Sequence, residues 1–129
     1  MHNQFSIESG SRDGTEIRFL LSTTSELLTG KPSGKMITDS DKLSFVYLLE
    51  DEQGYSHIHF PQVVWPLMVD VLQWDVDPIL CCGEKTLKLI GFKDELHMLI
   101  FNIEGNNNYG ELFSTAVEKA FEQPLQNTL

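Results

Sequence analysis

Cysteine is nearly absent from the chain: there are two in 129 residues, and they are neighbours, Cys81 and Cys82. Adjacent thiols cannot close a long loop, so neither a disulfide framework nor an oxidising compartment is indicated. Basic residues are scarce too, with nine Lys and Arg against nineteen Asp and Glu and a formal net charge of −10. That balance repels a phosphate backbone and an anionic lipid surface, which argues against nucleic acid and membrane as partners. Long apolar runs are missing, since no stretch approaches the roughly 18 residues a membrane span needs. Met1-His2-Asn3-Gln4 lacks the basic start and apolar run of a secretory leader, so the expected location is cytoplasmic. No internal repeat, low-complexity tract or interdomain linker interrupts the chain, and a single domain over 1–129 is expected.

What is present is material for a core. Hydrophobic residues make up 41%, with eight Phe, three Tyr and two Trp, and a chain of this size buries about two-thirds of its unfolded surface without metal or disulfide staples. Alternation and turn chemistry predict strands at 3–9 and 15–22 joined through Gly10–Gly14. A polar loop over 23–33 follows, then a brief strand at 35–38. Residues 43–50 carry apolar side chains on both faces, as a central strand does, and turn through Asp51-Glu52-Gln53-Gly54 into 55–60. Helical spacing runs through 61–73, with the regular part from about Trp65 because of Pro66. A third hairpin is expected at 79–82 and 86–90, and helices at 92–104 and 109–121. The last of these has Leu112, Phe113, Ala116, Val117, Ala120 and Phe121 as its buried stripe and a capping box from Asn108 to Glu111. Residues 1–33 read as a variable N-terminal hairpin and loop, and 122–129 as a frayed tail after Pro124. The expected fold is α+β: an antiparallel sheet built from β-hairpins, packed by one middle helix and two C-terminal helices.

Each candidate site has a structural explanation beside it. Gly30-Lys31-Pro32-Ser33-Gly34-Lys35-Met36 invites comparison with a phosphate-binding loop, but the glycines are one residue too close and Met36 stands where a hydroxyl is needed; an exposed loop is expected. His57 and His59 share one strand face at a spacing that can chelate a metal, yet no third ligand is indicated, so they read as solvent-facing and no metal is assigned. Cys81 and Cys82 point to opposite faces of a strand and read as structural. Asp39 and Asp41 flank Ser40 and could offer carboxylates, though turn chemistry explains them. Asn106, Asn107 and Asn108 beside Tyr109, between two glycines at a helix N-terminus, offer donors and acceptors that could orient a ligand or peptide. The same residue types cap helices and tolerate left-handed backbone. No residue is assigned a catalytic role.

The stretches Gly34-Lys35-Met36-Ile37-Thr38-Asp39-Ser40-Asp41, Phe45-Val46-Tyr47, Trp65, Leu87-Lys88-Leu89, Glu95-Leu96 and Asn102-Ile103-Glu104-Gly105-Asn106-Asn107-Asn108-Tyr109-Gly110 resemble a small uncharacterised family of acidic cytoplasmic proteins from bacilli and staphylococci. The resemblance covers about Gly34 to Phe121. It implies a bacterial cytoplasmic protein and brings no reaction, cofactor or ligand with it; the amino-terminal third and Cys81-Cys82-Gly83 lie outside it.

The reading that follows is a non-catalytic module for protein interaction or self-association, with no cofactor and a protein partner or a second copy as its ligand. Trp65, Trp74 and the Asn-Tyr stretch are its candidate anchors, since aromatics are common at interface centres, while the two tryptophans fit the core equally well. A small enzyme built on Asp39, Asp41, His57 or His59 is the rival, and an acidic mimic of nucleic acid is the weaker third reading.

Overall fold

The computed structural model describes residues 3–23 and 28–126, the side chains of Asn3 and Asn107 excepted. The fold is α+β, with two four-stranded sheets where one was expected. The first sheet is ordered β1 (Asn3–Ser6), β6 (Gly54–Pro61), β5 (Ser44–Asp51), β4 (Lys31–Asp39). The second is ordered β2 (Ser9–Asp13), β3 (Glu16–Leu20), β7 (Ile79–Cys82), β8 (Lys85–Lys88). Both sheets are mixed. The hairpins are antiparallel, but β1 lies parallel to β6 and β3 parallel to β7.

The first hairpin is therefore β2–β3, closed by Gly14-Thr15, and Gly10–Asp13, expected as a turn, is strand. Polarity misled here because β2 is an edge strand whose side chains are nearly all exposed. Gly10 has a steric duty as well: a Cβ there would come within 2.6 Å of Leu67 Cδ1 and 2.8 Å of the Arg18 carbonyl oxygen. β4 likewise begins at Lys31, inside the expected loop.

The central strand is β5, buried at six consecutive positions from Ser44 to Leu49. Phe45, Tyr47 and Leu49 join Ile58 and Phe60 of β6 on the inner face, over which the helices pack. These are α1 (Trp65–Trp74), α2 (Phe92–Ile103), α3 (Glu111–Ala120) and a short α4 (Glu122–Gln126). Pro66 sits in the first turn of α1, where its missing N–H has no intrahelical partner to lose. Residues 122–126 were expected to fray; they form α4 instead, with Pro124 buried. Residues 127–129 lie outside the described residues.

Two aromatic groups fill the interior. Phe60 meets Phe19 of β3 edge-on at 5.0 Å and Phe92 of α2 at 5.1 Å. Phe45 gathers Trp65, Phe113 and Phe121 at 5.4, 5.8 and 5.7 Å. In α3 the buried residues are Phe113, Ser114 and Val117, with Phe121 buried at the C-cap, whereas Leu112 is 82% exposed and Ala120 is exposed. The apolar stripe is narrower than expected because Leu112 and Ala120 lie on the side of the helix turned to solvent. The Asn108 capping box does not form: Gly110 stands at the N-cap, and Asn108 lies in a 3-10 turn over Asn107–Tyr109.

This helix phase has a direct check. Phe113→Ala is expected to cost about 3–5 kcal/mol through the cavity it leaves, whereas Leu112→Glu should stay within about 0.5 kcal/mol of the parent. Urea midpoints measure both, and comparable losses would mean that α3 is rotated from this position.

Candidate functional site

The glycine- and lysine-bearing stretch that was compared with a phosphate loop is a bulged strand. Between the pairs Pro32↔Leu49 and Met36↔Tyr47, three residues of β4 face one of β5, so the bulge cannot pair through the ladder. Side chains supply the missing partners. Ser33 Oγ donates to the Leu48 carbonyl at 2.6 Å and accepts from Lys35 N at 3.0 Å. Gly34 N donates to Tyr47 Oη at 3.1 Å, and Met36 N to Glu95 Oε1 at 3.3 Å. Tyr47 in turn donates to the Ile90 carbonyl at 2.6 Å. Burial, with Asp77 and Glu95 nearby, pushes the Tyr47 phenol up to about 12 against the opposing effect of the Gly34 N–H.

The start of α2 docks against this bulge. Gly91 has φ 76°, and a Cβ there would lie 3.1 Å from Gly34 Cα, so the contact requires glycine on both counts. Asp77 caps the helix from outside it, accepting from Gly91 N at 3.2 Å and Lys93 N at 3.0 Å. Gly34, Tyr47, Asp77 and Glu95, from four parts of the chain, thus form one polar junction.

A second junction lies on the outer face of the first sheet. His59 was expected to face solvent, but it is 5% exposed. Its Nε2 meets Gln4 Oε1 at 2.5 Å and its Nδ1 meets Ser44 Oγ at 3.0 Å. An amide oxygen only accepts, so Nε2 carries the proton and Ser44 donates to Nδ1. Burial lowers the His59 pKa, and Lys42 and His57 lower it further while Asp39 opposes them. A hydroxyl–imidazole–amide chain has the connectivity of an activated serine. Ser44, however, is 1% exposed, so the chain ties β1, β6 and β5 together and leaves no room for a substrate at Oγ.

The other sequence candidates fall elsewhere. Asp39 ends β4 and closes the following turn by accepting from Lys42 N at 3.3 Å; Asp41 is exposed in that turn. His57 is half-buried beside His59, with Nδ1 buried and unpartnered. Among the described residues no three His, Cys, Asp or Glu are grouped to hold a metal ion. Asn106 organises the α2–α3 connection: its Oδ1 accepts from Asn108 N at 3.0 Å, its Nδ2 donates to the Asn102 carbonyl at 3.3 Å, and its carbonyl accepts from Ser114 Oγ at 2.9 Å. Asn108 is exposed, Tyr109 packs against the core, and the Asn107 side chain lies outside what the structure describes. Cys81 is half-buried and Cys82 is buried, its Sγ 3.1 Å from the Thr23 carbonyl. Trp65 is core at 1% exposed and Trp74 surface at 38%.

The sequence reading passed over Gln4, Ser44, Tyr47, Asp77 and Glu95. Tyr47 alone carried a signal, a phenol on a strand apolar on both faces, which must find a partner when buried.

A model of a family of unknown function, UPF0738, matches residues 5–121. The chain belongs to the UPF0738 family. Its relatives include a UPF0738 protein of Lysinibacillus sphaericus (strain C3-41), 39% identical over 97% of this chain and 98% of that protein. Another is YjbL of Bacillus subtilis (strain 168), 31% identical over 94% and 99%. A Bacillus thuringiensis (strain Al Hakam) member is 41% identical over 67% and 70%. No solved structure matches. The UPF0738 match starts at residue 5 and so takes in the first hairpin, which the sequence resemblance left out.

Two measurements test the junctions that UPF0738 residues build here. Tyr47→Phe strands the Gly34 N–H and removes the donor to Ile90, so a loss of about 1–3 kcal/mol is expected. Ultraviolet titration should lose a tyrosine that ionises near pH 12. For His59, the unfolded chain takes up a proton near the ordinary 6.5 and the folded chain only at lower pH. The unfolded state then binds more protons, so stability falls as pH drops below about 6.5. Urea unfolding from about pH 7 to about pH 5 should show a smaller fall in His59→Gln than in the parent. Identical slopes would remove His59 from the acid response.

Proposed function

We propose that this chain is a non-catalytic module for protein interaction or self-association. The observation supporting it is the outer face of the first sheet. The register puts Ile37, Val46, Leu48, Tyr55 and His57 on that face, away from the helices. Val46 and Leu48 are buried yet stand outside the main core cluster. Ile37 and Tyr55, which flank them, are 44% and 41% exposed. Lys35 Nζ reaches Tyr55 Oη at 3.3 Å and lies 5.7 Å from the ring centroid, so the phenol is held against the sheet by a cation. Exposed Ile37 and Tyr55, with a cation beside the phenol, supply apolar and aromatic contact area of the kind found at interfaces. Ser33, Tyr47, Glu95, Asp77 and His59 meanwhile spend their polar atoms inside the protein.

The location is read as cytoplasmic on the composition argument, and no described helix is long and apolar enough to cross a membrane. The test is association. Sedimentation of the purified chain across a concentration series, with co-purification from a bacterial lysate followed by identification of the captured protein, should reveal a self-complex or a defined partner. Ile37→Lys should weaken it at least about tenfold while leaving thermal stability nearly unchanged, since the residue is exposed. A chain that stays monomeric and captures nothing would defeat the proposal.

A further inference from the structure

We infer that β1 is a strap latched by His59: when the imidazole takes up a proton, residues 3–6 lift from β6 and bare its edge. No partner or second copy is required for this. β1 is a four-residue edge strand that pairs with β6 alone, and Gln4 and Ser6 are exposed. Ile7, 1% exposed, bonds through its N–H to the His59 carbonyl at 2.9 Å and marks where the strap is anchored. Backbone groups alternate along a strand, so the N–H groups of His57 and His59 turn toward β1 and those of Ile58 and Phe60 toward β5. Lifting the strap leaves the first pair unbonded, and such an edge is a template with which another strand can pair.

The latch has no spare partner for a second proton. Neutral His59 gives its Nε2–H to Gln4 Oε1 at 2.5 Å and accepts the Ser44 hydroxyl at Nδ1, 3.0 Å away. In the imidazolium both nitrogens donate. Ser44 Oγ must then turn and accept; among the described residues it has no other side-chain partner, so its own proton is stranded in a residue 1% exposed. Burial opposes the charge most, Lys42 in the turn after β4 and His57 on β6 act with it, and Asp39 at the end of β4 acts against them. β5 and β1 face the imidazole with the uncharged Ser44, Val46 and Gln4. Ser44 belongs to the central strand, bonded on both sides, whereas Gln4 belongs to a strand bonded on one, so the strap is what yields. With Gln4 lifted away, water reaches the ring and it takes up a proton near the ordinary 6.5, above the value in the closed state. Opening therefore gains as pH falls below about 6.5.

Amide hydrogen exchange of the full chain, followed residue by residue by NMR and corrected for the intrinsic rate at each pH, reads the strap directly. The signal is the protection of His57 and His59 relative to Ile58 and Phe60, a ratio in which a loss of overall stability cancels. From about pH 7 to about pH 5 the ratio should fall about three- to tenfold in the parent, and His59→Gln should hold it constant. Gln4→Ala removes the catch at Nε2 and should lower the ratio already at about pH 7. A ratio in the parent that ignores pH, or equal loss of protection at all of these residues, would overturn the strap. So would no change in Gln4→Ala, or an undiminished pH response in His59→Gln, which would place the sensor on another group. If His59→Gln does not fold, the parent and Gln4→Ala decide.

Discussion

The contact on which the rest of the molecule depends is the meeting of Phe19, Phe60 and Phe92, one ring from each sheet and one from α2. A twisted sheet of four strands has one face that it cannot leave in water, and neither sheet here has enough helix of its own to cover it. Edge-on packing of Phe60 against both neighbours joins the two faces and fixes where α2 begins. Such pairs contribute about 0.5–1.5 kcal/mol each beyond the area they bury. Because Phe92 is the first residue of α2, locking its ring also sets the position of Gly91, which lies so close to Gly34 that a Cβ on Gly91 would come 3.1 Å from Gly34 Cα.

From that placement the polar interior follows. A strand with three residues opposite one leaves N–H groups that the ladder cannot satisfy, and a buried unpaired N–H costs about as much as a lost hydrogen bond. Tyr47, Glu95 and Ser33 meet the need, so residues that look available for chemistry are committed to holding a bulge. His59, Gln4 and Ser44 do the same for β1, which has only four residues and pairs on one side. On the outer face of the first sheet, what remains for solvent is Ile37 and Tyr55, beside the buried Val46 and Leu48.

The site was less legible than the fold for a geometric reason. Glu95 lies 59 positions from the amide it serves, and Gln4 lies 55 from His59. Nothing in the local pattern of an amphipathic helix distinguishes Glu95 from its solvent-facing neighbours, and Gln4 sits in an unremarkable polar strand. The Asn106–Tyr109 stretch was legible as a helix connection because its bonds span at most eight residues. Leu112 was misassigned because a hydrophobic residue next to a buried one looks the same whether it borders the core or overhangs its rim.

By itself the sequence determined most of the strand and helix segments, though not β2, the start of β4 or α4, and also that β5 is central, that α1 starts near Trp65 and that the class is α+β. These depend on periodicity and turn residues within a few positions of each other. Only the tertiary structure decided that the strands divide between two sheets, that β1 and β3 pair in parallel with strands far along the chain, and that Ser9–Asp13 is an edge strand. Parallel partners need a long crossover, and their choice is settled by which faces can bury each other; no local stretch of residues carries that information.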